Sequence, residues 1–273
     1  MLSKELVRKI RQIEIKSNKL VEEIFSGEYR SGFRGKGVEF EDIRQYYPGD
    51  DVRTIDWNVT ARHNKAFVKQ FCEERELNMF LLIDISRSNS FGNKKDLIAQ
   101  ISATLAFSAS KNNDRVGVIF FTDKVEKFIP SANGKKHVLS IIENILSFQP
   151  EQNGTDLSKA LQYLNRIEKK RSVVFVISDF LDDGYKNDLK ITAGKHDLVL
   201  VRVVDRAEEL LPAGAIFTFE DLETGETIIL DNLKNAKRLD TSASLFKRNL
   251  INIYTDEDYV KPLKQFFRRR WQQ

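Results

Sequence analysis

The chain has 273 residues, of which 41% are hydrophobic and 31% charged, and its formal net charge is +4. Five prolines, 13 glycines and one cysteine exclude a collagen-like chain, an internal disulfide framework and a thiolate metal cluster. No apolar run approaches the roughly 20 residues of a membrane-spanning helix, and the charged N-terminus is unlike a signal peptide. We therefore expect a soluble, most simply cytoplasmic, protein with one large domain or two small ones.

Residues 1–65 are predicted to form an appendage with two parts. Apolar residues recur at three- and four-residue steps over residues 3–26, which predicts an amphipathic helix. Residues 27–65 contain five glycines yet are too apolar for a free linker, so we expect an ordered, irregular segment packed on the main domain. Its Asp56, Trp57 and Arg62 are candidates for buried links to that domain, and a partner-binding surface is the alternative.

Short apolar runs alternate with helical patterns over residues 66–273. The runs predict strands buried on both faces, at 80–83, 116–121, 173–177, 198–201 and 251–254. The helical patterns lie at 97–105, 138–145, 157–164 and around Leu245. Residues 125–129 predict an antiparallel edge strand, and residues 214–230 predict an inserted hairpin. This alternation predicts an α/β domain with a doubly wound, mostly parallel sheet.

Oxygen-bearing side chains follow three of these elements. Asp84, Ser86 and Ser88 alternate directly after the first predicted strand, Thr155 precedes a predicted helix, and Asp179 follows the strand at 173–177. Ligands in open α/β sheets bind beyond the carboxyl ends of the strands, where these residues are expected to meet. Mg²⁺ prefers about six oxygen ligands, so the pattern predicts a magnesium or manganese site.

These five residues resemble the metal-ion-dependent adhesion site of the von Willebrand factor A domain. That site is built from Asp-x-Ser-x-Ser, a distant Thr and a distant Asp, which the matching positions here supply. The resemblance implies a von Willebrand factor A-like fold over residues 66–273. The chain departs from the family at Asn89, where methionine usually follows the second serine.

A second resemblance covers residues 35–92. The series Gly35-x-Gly37-Val38-Glu39-Phe40, Tyr47-Pro48-Gly49-Asp50-Asp51-Val52-Arg53 and Ile55-Asp56-Trp57-Asn58 is similar to the bacterial family called domain of unknown function fifty-eight. Members of that family are commonly encoded beside MoxR-type AAA+ ATPases, which the resemblance implies as candidate partners.

The residues and the resemblance together favour a protein-interaction module rather than an enzyme. Ser86, Ser88 and Thr155 would hold the ion directly, Asp84 and Asp179 would act partly through water, and an acidic residue of a partner would complete the coordination. The alternative is a Mg²⁺-dependent phosphohydrolase or nuclease using Asp123, Asp182 and Asp183, although no nucleophile or general base is evident.

The basic ends of the chain raise a third possibility. Residues 1–36 hold nine Lys/Arg and five Glu, and residues 259–273 hold five Lys/Arg and no acid. A nucleic-acid tail is one explanation, but solvated faces of amphipathic helices fit better, and we expect no nucleic-acid partner.

Overall fold

The computed structural model describes residues 4–25, 39–63, 65–72, 77–86, 89, 93–151, 154–182, 184–206, 216–220, 227–231, 246 and 248–271. The chain divides into two compact units, Met1–Gly32 with Asn78–Gln273, and Phe33–Leu77. This division differs from the expected boundary after residue 65. The N-terminal helix packs on helices of the α/β unit, and residues 67–72 pair with a strand of the smaller unit.

The described residues form seven α-helices and ten strands. The helices are α1 Lys4–Phe25, α2 Trp57–His63, α3 Lys94–Lys111, α4 Lys135–Ser147, α5 Leu157–Ile167, α6 Lys186–Lys195 and α7 Val260–Trp271. The strands are β1 Glu39–Gln45, β2 Phe67–Cys72, β3 Asn78–Asp84, β4 Arg115–Phe121, β5 Val125–Ala132, β6 Val173–Ser178, β7 Asp197–Val204, β8 Ile216–Glu220, β9 Thr227–Asp231 and β10 Leu250–Tyr254.

Six strands form the central sheet of the α/β unit, in the order β10-β7-β6-β3-β4-β5. All neighbours are parallel except β5, which runs antiparallel to β4 at the edge. The doubly wound, mostly parallel sheet predicted from the sequence is therefore confirmed, as is the antiparallel edge strand. The predicted hairpin is also confirmed, because β8 and β9 pair antiparallel.

Successive side chains of a strand point to opposite faces of the sheet. In the central strands both sets of side chains are buried. Phe80 and Leu82 of β3 belong to a core cluster that includes residues of α5 and α6. On the other face, Phe175 contacts Phe267 of α7, with ring centroids 6.4 Å apart, and α3 lies against β3 and β4. Both faces are covered, which explains why the strands read as continuous apolar runs.

The unit over residues 33–77 is more regular than expected. Strand β1 pairs antiparallel with β2, and a 3₁₀ helix and α2 lie between them. Asp56 caps α2 by accepting hydrogen bonds from the backbone of Asn58 (3.0 Å) and Val59 (3.2 Å). Trp57 is 68% exposed and Arg62 is exposed. Asp56 thus caps α2 and also pairs with the Lys69 ammonium of β2 (3.5 Å), both within this unit. The expected link to the main domain stays a prediction.

The helices of the structure differ from those predicted from the sequence at two further places. Helix α6 was not predicted, because Leu189 and Thr192 are its only buried residues and leave no apolar period. The helix predicted around Leu245 lies outside the described residues.

Candidate metal centre

Strand register brings the carboxyl ends of β3, β4 and β6 together at one edge of the sheet. Ile83 of β3 lies opposite Ile177 of β6, and Asp84 lies opposite Phe121 of β4. The backbone of Ile85 then donates a hydrogen bond to the Phe121 carbonyl (3.0 Å). The segments that follow these strands therefore start side by side.

Asp84 is completely buried at this edge. One carboxylate oxygen accepts a hydrogen bond from the Ser178 hydroxyl (2.6 Å), and the other accepts one from the Ser86 backbone (3.0 Å). Burial and then the neighbouring Asp179 carboxylate raise the pKa of Asp84 to about 6, against the lowering effect of these hydrogen bonds. The edge thus holds a buried carboxyl group whose charged form is disfavoured by burial and by a second carboxylate.

Asp179 supplies the second carboxylate and is 4% exposed. Its Oδ1 accepts a hydrogen bond from the Leu181 backbone (3.2 Å), whereas Oδ2 has no hydrogen-bond partner among the described residues. The next residue, Phe180, has φ = 57°, a left-handed conformation that costs a non-glycine residue roughly 1–3 kcal/mol. Its backbone donates to the Ser178 hydroxyl (3.0 Å), which fixes this strained turn beside Asp84.

Thr155 lies in the loop that enters α5 at the same edge. The backbone of Asp156 donates to the carbonyl of Thr122, directly after β4 (2.8 Å), and the Asp156 carboxylate caps α5 through the Lys159 backbone (3.0 Å). Thr155 itself is half-buried. The loop is therefore tied to the carboxyl end of β4, next to the strand that carries Asp84.

The serine residues of the motif differ in what the structure shows. Ser86 is buried, with 1% exposure, immediately beyond β3. Ser88 lies outside the described residues. The structure thus gathers Asp84, Ser86 and Asp179, and it places Thr155 on the same sheet edge.

Two of the acidic residues suggested for an enzymatic site accept local hydrogen bonds. The Asp182 carboxylate accepts a hydrogen bond from the Leu157 backbone at the start of α5 (2.9 Å). The Asp123 carboxylate accepts one from the Thr122 hydroxyl (3.3 Å). Asp183 lies outside the described residues.

Asn89 is an unusual neighbour of this centre. Its side chain is 2% exposed, and within the described part of the chain neither its amide nitrogen nor its amide oxygen has a hydrogen-bond partner. Asn89 and Asp84 line a cavity of about 20 Å³, enough for one water molecule. The sequence signal for this position was its departure from the methionine of the von Willebrand factor A pattern.

Lys94 was missed altogether by sequence reasoning. It is the first residue of α3, it is fully buried, and its ammonium lies 3.7 Å from Asp179 Oδ2. A lysine at the start of a helix normally predicts a solvated side chain. Only the packing of α3 against the sheet shows that this one is directed to the centre.

The residues at this edge fit a hard divalent cation. Carboxylate and hydroxyl oxygens are the donors that Mg²⁺ and Mn²⁺ prefer, and Asp179 Oδ2 is a buried carboxylate oxygen that accepts no hydrogen bond. Within the described part of the chain, no three His, Cys, Asp or Glu side chains are grouped to hold a metal. A metal here would therefore depend on hydroxyl ligands together with the two aspartates.

The family model described as "Protein of unknown function DUF58" matches residues 42–249. The chain belongs to this family. Uncharacterized protein Rv1480 of Mycobacterium tuberculosis is 27% identical over 285 residues, covering 97% of this chain and 90% of its own. Uncharacterized protein YeaD of Bacillus subtilis is 22% identical, over 60% of this chain and 40% of its own. The expected family is therefore confirmed.

Two solved structures are also similar. The conserved hypothetical protein BatB from Bacteroides thetaiotaomicron has 13% identity and a TM-score of 0.49, covering 72% of this chain and all of its own. The ArnB paralog VWA2 from Sulfolobus acidocaldarius has 16% identity and a TM-score of 0.31, covering 50% of this chain and 37% of its own. At these values the fold follows from the sheet order described above, not from the neighbours.

No helix in the described part of the chain is both long and apolar enough to cross a bilayer.

Proposed function

We propose that this DUF58 protein is a metal-dependent protein-interaction module. The observation that carries the proposal is the pair of buried carboxylates at one sheet edge, Asp84 and Asp179. One oxygen of Asp179 accepts no hydrogen bond from any described residue. The described partner of that oxygen is the Lys94 ammonium, which lies 3.7 Å away and beyond hydrogen-bond distance. A buried polar atom without a hydrogen bond is rare in folded proteins and calls for a further ligand or a functional role. A divalent cation would satisfy both carboxylates at once.

The arrangement favours a bound ion that remains available to a second protein. Ser86, Ser88 and Thr155 would contribute neutral hydroxyl ligands, while Asp84 and Asp179 would balance charge directly or through water. Asp84 is already held by Ser178 and Ser86, which orients its oxygens before any ion arrives. A cation with several neutral ligands keeps most of its positive charge, so it would attract a carboxylate from a partner.

The partner we propose is a protein that presents an acidic residue. The family resemblance names a MoxR-type AAA+ ATPase as the candidate. Binding would then require both the ion and the acidic side chain, because either alone leaves the coordination incomplete.

The test is a pull-down of the purified MoxR-type ATPase from the same genome, with Mg²⁺ and with EDTA. We expect capture by the wild-type chain in Mg²⁺ and its loss with EDTA or in Asp84→Ala. The Asp114→Asn variant, at the amino end of β4, is the matched control and should capture normally. Capture that ignores both EDTA and Asp84→Ala would contradict metal dependence.

The same preparations distinguish the module from an enzyme. A screen of phosphomonoesters, phosphodiesters and single-stranded nucleic acid in Mg²⁺ should show no turnover above that of Asp84→Ala. Turnover that Asp84→Ala abolishes would instead support a phosphohydrolase or nuclease.

A further inference from the structure

Lys94 is the feature of the centre that the proposed function leaves unexplained. Its side chain is completely buried, although lysine is almost never fully buried unless it is paired. It is also the first residue of α3, where the positive end of the helix dipole disfavours a cation. Two unfavourable terms act on one ammonium group, so a specific counter-charge must hold it there.

The counter-charge is at the metal centre. The ammonium lies 3.7 Å from Asp179 Oδ2, the oxygen with no hydrogen-bond partner. Both members of this ion pair are almost completely shielded from solvent, with side-chain exposures of 0% and 5%. The attraction between them is therefore weakly screened, and it is stronger than for a pair on the surface.

An exposed ion pair in the first turn of α3 contrasts with the buried pair of Lys94 and Asp179. Asp96, in the first turn, pairs with Lys9 at 2.6 Å, and both side chains are more than a third exposed. That acid is placed where the helix dipole favours it. Lys94 has the opposite charge at the same helix end, which a role in α3 stability does not explain.

We propose that Lys94 is a built-in counterion that stabilises the metal-free centre and lowers its affinity for a divalent cation. The inference rests on the proposed function, because it concerns the same site. In the metal-free protein the ammonium offsets part of the charge of Asp84 and Asp179. When a divalent cation arrives, the ammonium remains nearby as a like charge, and it competes for Asp179. The chain thereby sets a metal concentration below which the centre stays empty.

The experiment is a calorimetric titration of the full chain with Mg²⁺ alone, comparing wild type with Lys94→Met. Removing the ammonium should tighten Mg²⁺ binding by at least about tenfold, since it removes a unit positive charge from a poorly screened site. Lys111→Met is the matched control, because it removes the same charge from the exposed last turn of the same helix. Its Mg²⁺ affinity should stay within about twofold of wild type.

Thermal unfolding gives a second readout that does not depend on partner binding. In EDTA, Lys94→Met should unfold at a lower temperature than wild type, because Asp179 loses its counterion. Added Mg²⁺ should raise its unfolding temperature more than that of wild type. Lys94→Gln, a neutral side chain that can still donate a hydrogen bond, serves as the second variant if Lys94→Met does not fold.

The outcomes separate the two proposals. Tighter binding in the Lys94 variants supports the counterion, even where wild-type binding is too weak to detect. If wild type and both Lys94 variants bind Mg²⁺ with the same affinity, the counterion role of Lys94 is contradicted, whereas the proposed metal centre is supported. No Mg²⁺ binding in wild type or in either variant would overturn the metal centre, and the inference with it.

Discussion

The amino and carboxyl ends of the central strands form two edges of the sheet, and these edges differ in the polar groups that they bury. At the amino edge, the Ser172 backbone donates to His196 Nδ1 (3.3 Å), and the Asp197 backbone donates to the Ser172 carbonyl (2.9 Å). At the carboxyl edge, Asp84 and Asp179 are buried side by side. The amino edge also buries one carboxylate, Asp114, and leaves His196 Nε2 without a hydrogen-bond partner among the described residues. Two neighbouring carboxylates cost more to bury than one, because their like charges repel in a poorly screened environment. The difference favours the carboxyl edge as the candidate functional site.

The largest expected effect is on metal affinity at the carboxyl edge. Asp84→Asn and Asp179→Asn should each weaken Mg²⁺ binding by about 100-fold, because each removes a buried negative charge beside the ion. Titration calorimetry measures the change. Asp114→Asn, buried at the amino end of β4, should leave the affinity unchanged. An equal loss in Asp114→Asn would show that the two edges are not distinct.

A smaller effect is expected at Thr155, whose proposed contribution is one neutral oxygen. Thr155→Ala should weaken Mg²⁺ binding by about tenfold, whereas Thr155→Ser, which keeps the hydroxyl, should bind nearly as well as wild type. The same titration measures both. If Thr155→Ala binds like wild type, the loop before α5 is not part of the centre.

Asn89 provides a stability test of the same edge. Replacing it with methionine removes an amide without hydrogen-bond partners, so Asn89→Met should stabilise the metal-free protein by about 1 kcal/mol. Urea denaturation in EDTA measures the free energy of unfolding. A loss of stability would indicate that the amide binds water in the neighbouring cavity.

The smallest expected effect is a pH dependence at the amino edge. Burial lowers the pKa of His196 below its ordinary value of 6.5. As the pH falls below 6.5, His196 is protonated in the unfolded chain before it is protonated in the folded chain. The free energy of unfolding therefore decreases until the pH passes the pKa of His196 in the folded protein. The slope contributed by this residue is at most about 1.4 kcal/mol per pH unit.

The measurement is the stability difference between wild type and His196→Gln from pH 7.5 to 5, with Mg²⁺ and with EDTA. The difference should change with pH and should be the same in both buffers, because His196 lies at the opposite edge from the centre. A dependence on Mg²⁺ would show that the two edges of the sheet are coupled.

The sheet could be predicted because its strands are buried on both faces. Runs such as Val173–Ile177 are then continuous and apolar, and their order along the chain implies parallel pairing. Helix α6 could not be predicted, since it buries only Leu189 and Thr192. The pairing of β1 with β2 was hidden by the glycines between and before them, which suggested irregular structure.

The centre was predicted only in part. Asp84, Ser86 and Asp179 follow strands, so their convergence could be read from strand order. The role of Ser178 in holding Asp84 and the burial of Lys94 are products of tertiary packing. No local pattern distinguishes Lys94 from the half-buried Lys95 beside it. Ser88 stays a prediction.

The central claim is that the carboxyl edge of the sheet binds a divalent cation. Anomalous diffraction from crystals of the full chain grown with Mn²⁺ tests it most directly. One strong manganese peak is expected among Asp84, Ser86, Thr155 and Asp179, and it should be absent from crystals of Asp179→Asn. A wild-type crystal with no peak at this edge, at a manganese concentration that saturates exposed sites elsewhere on the protein, would contradict it.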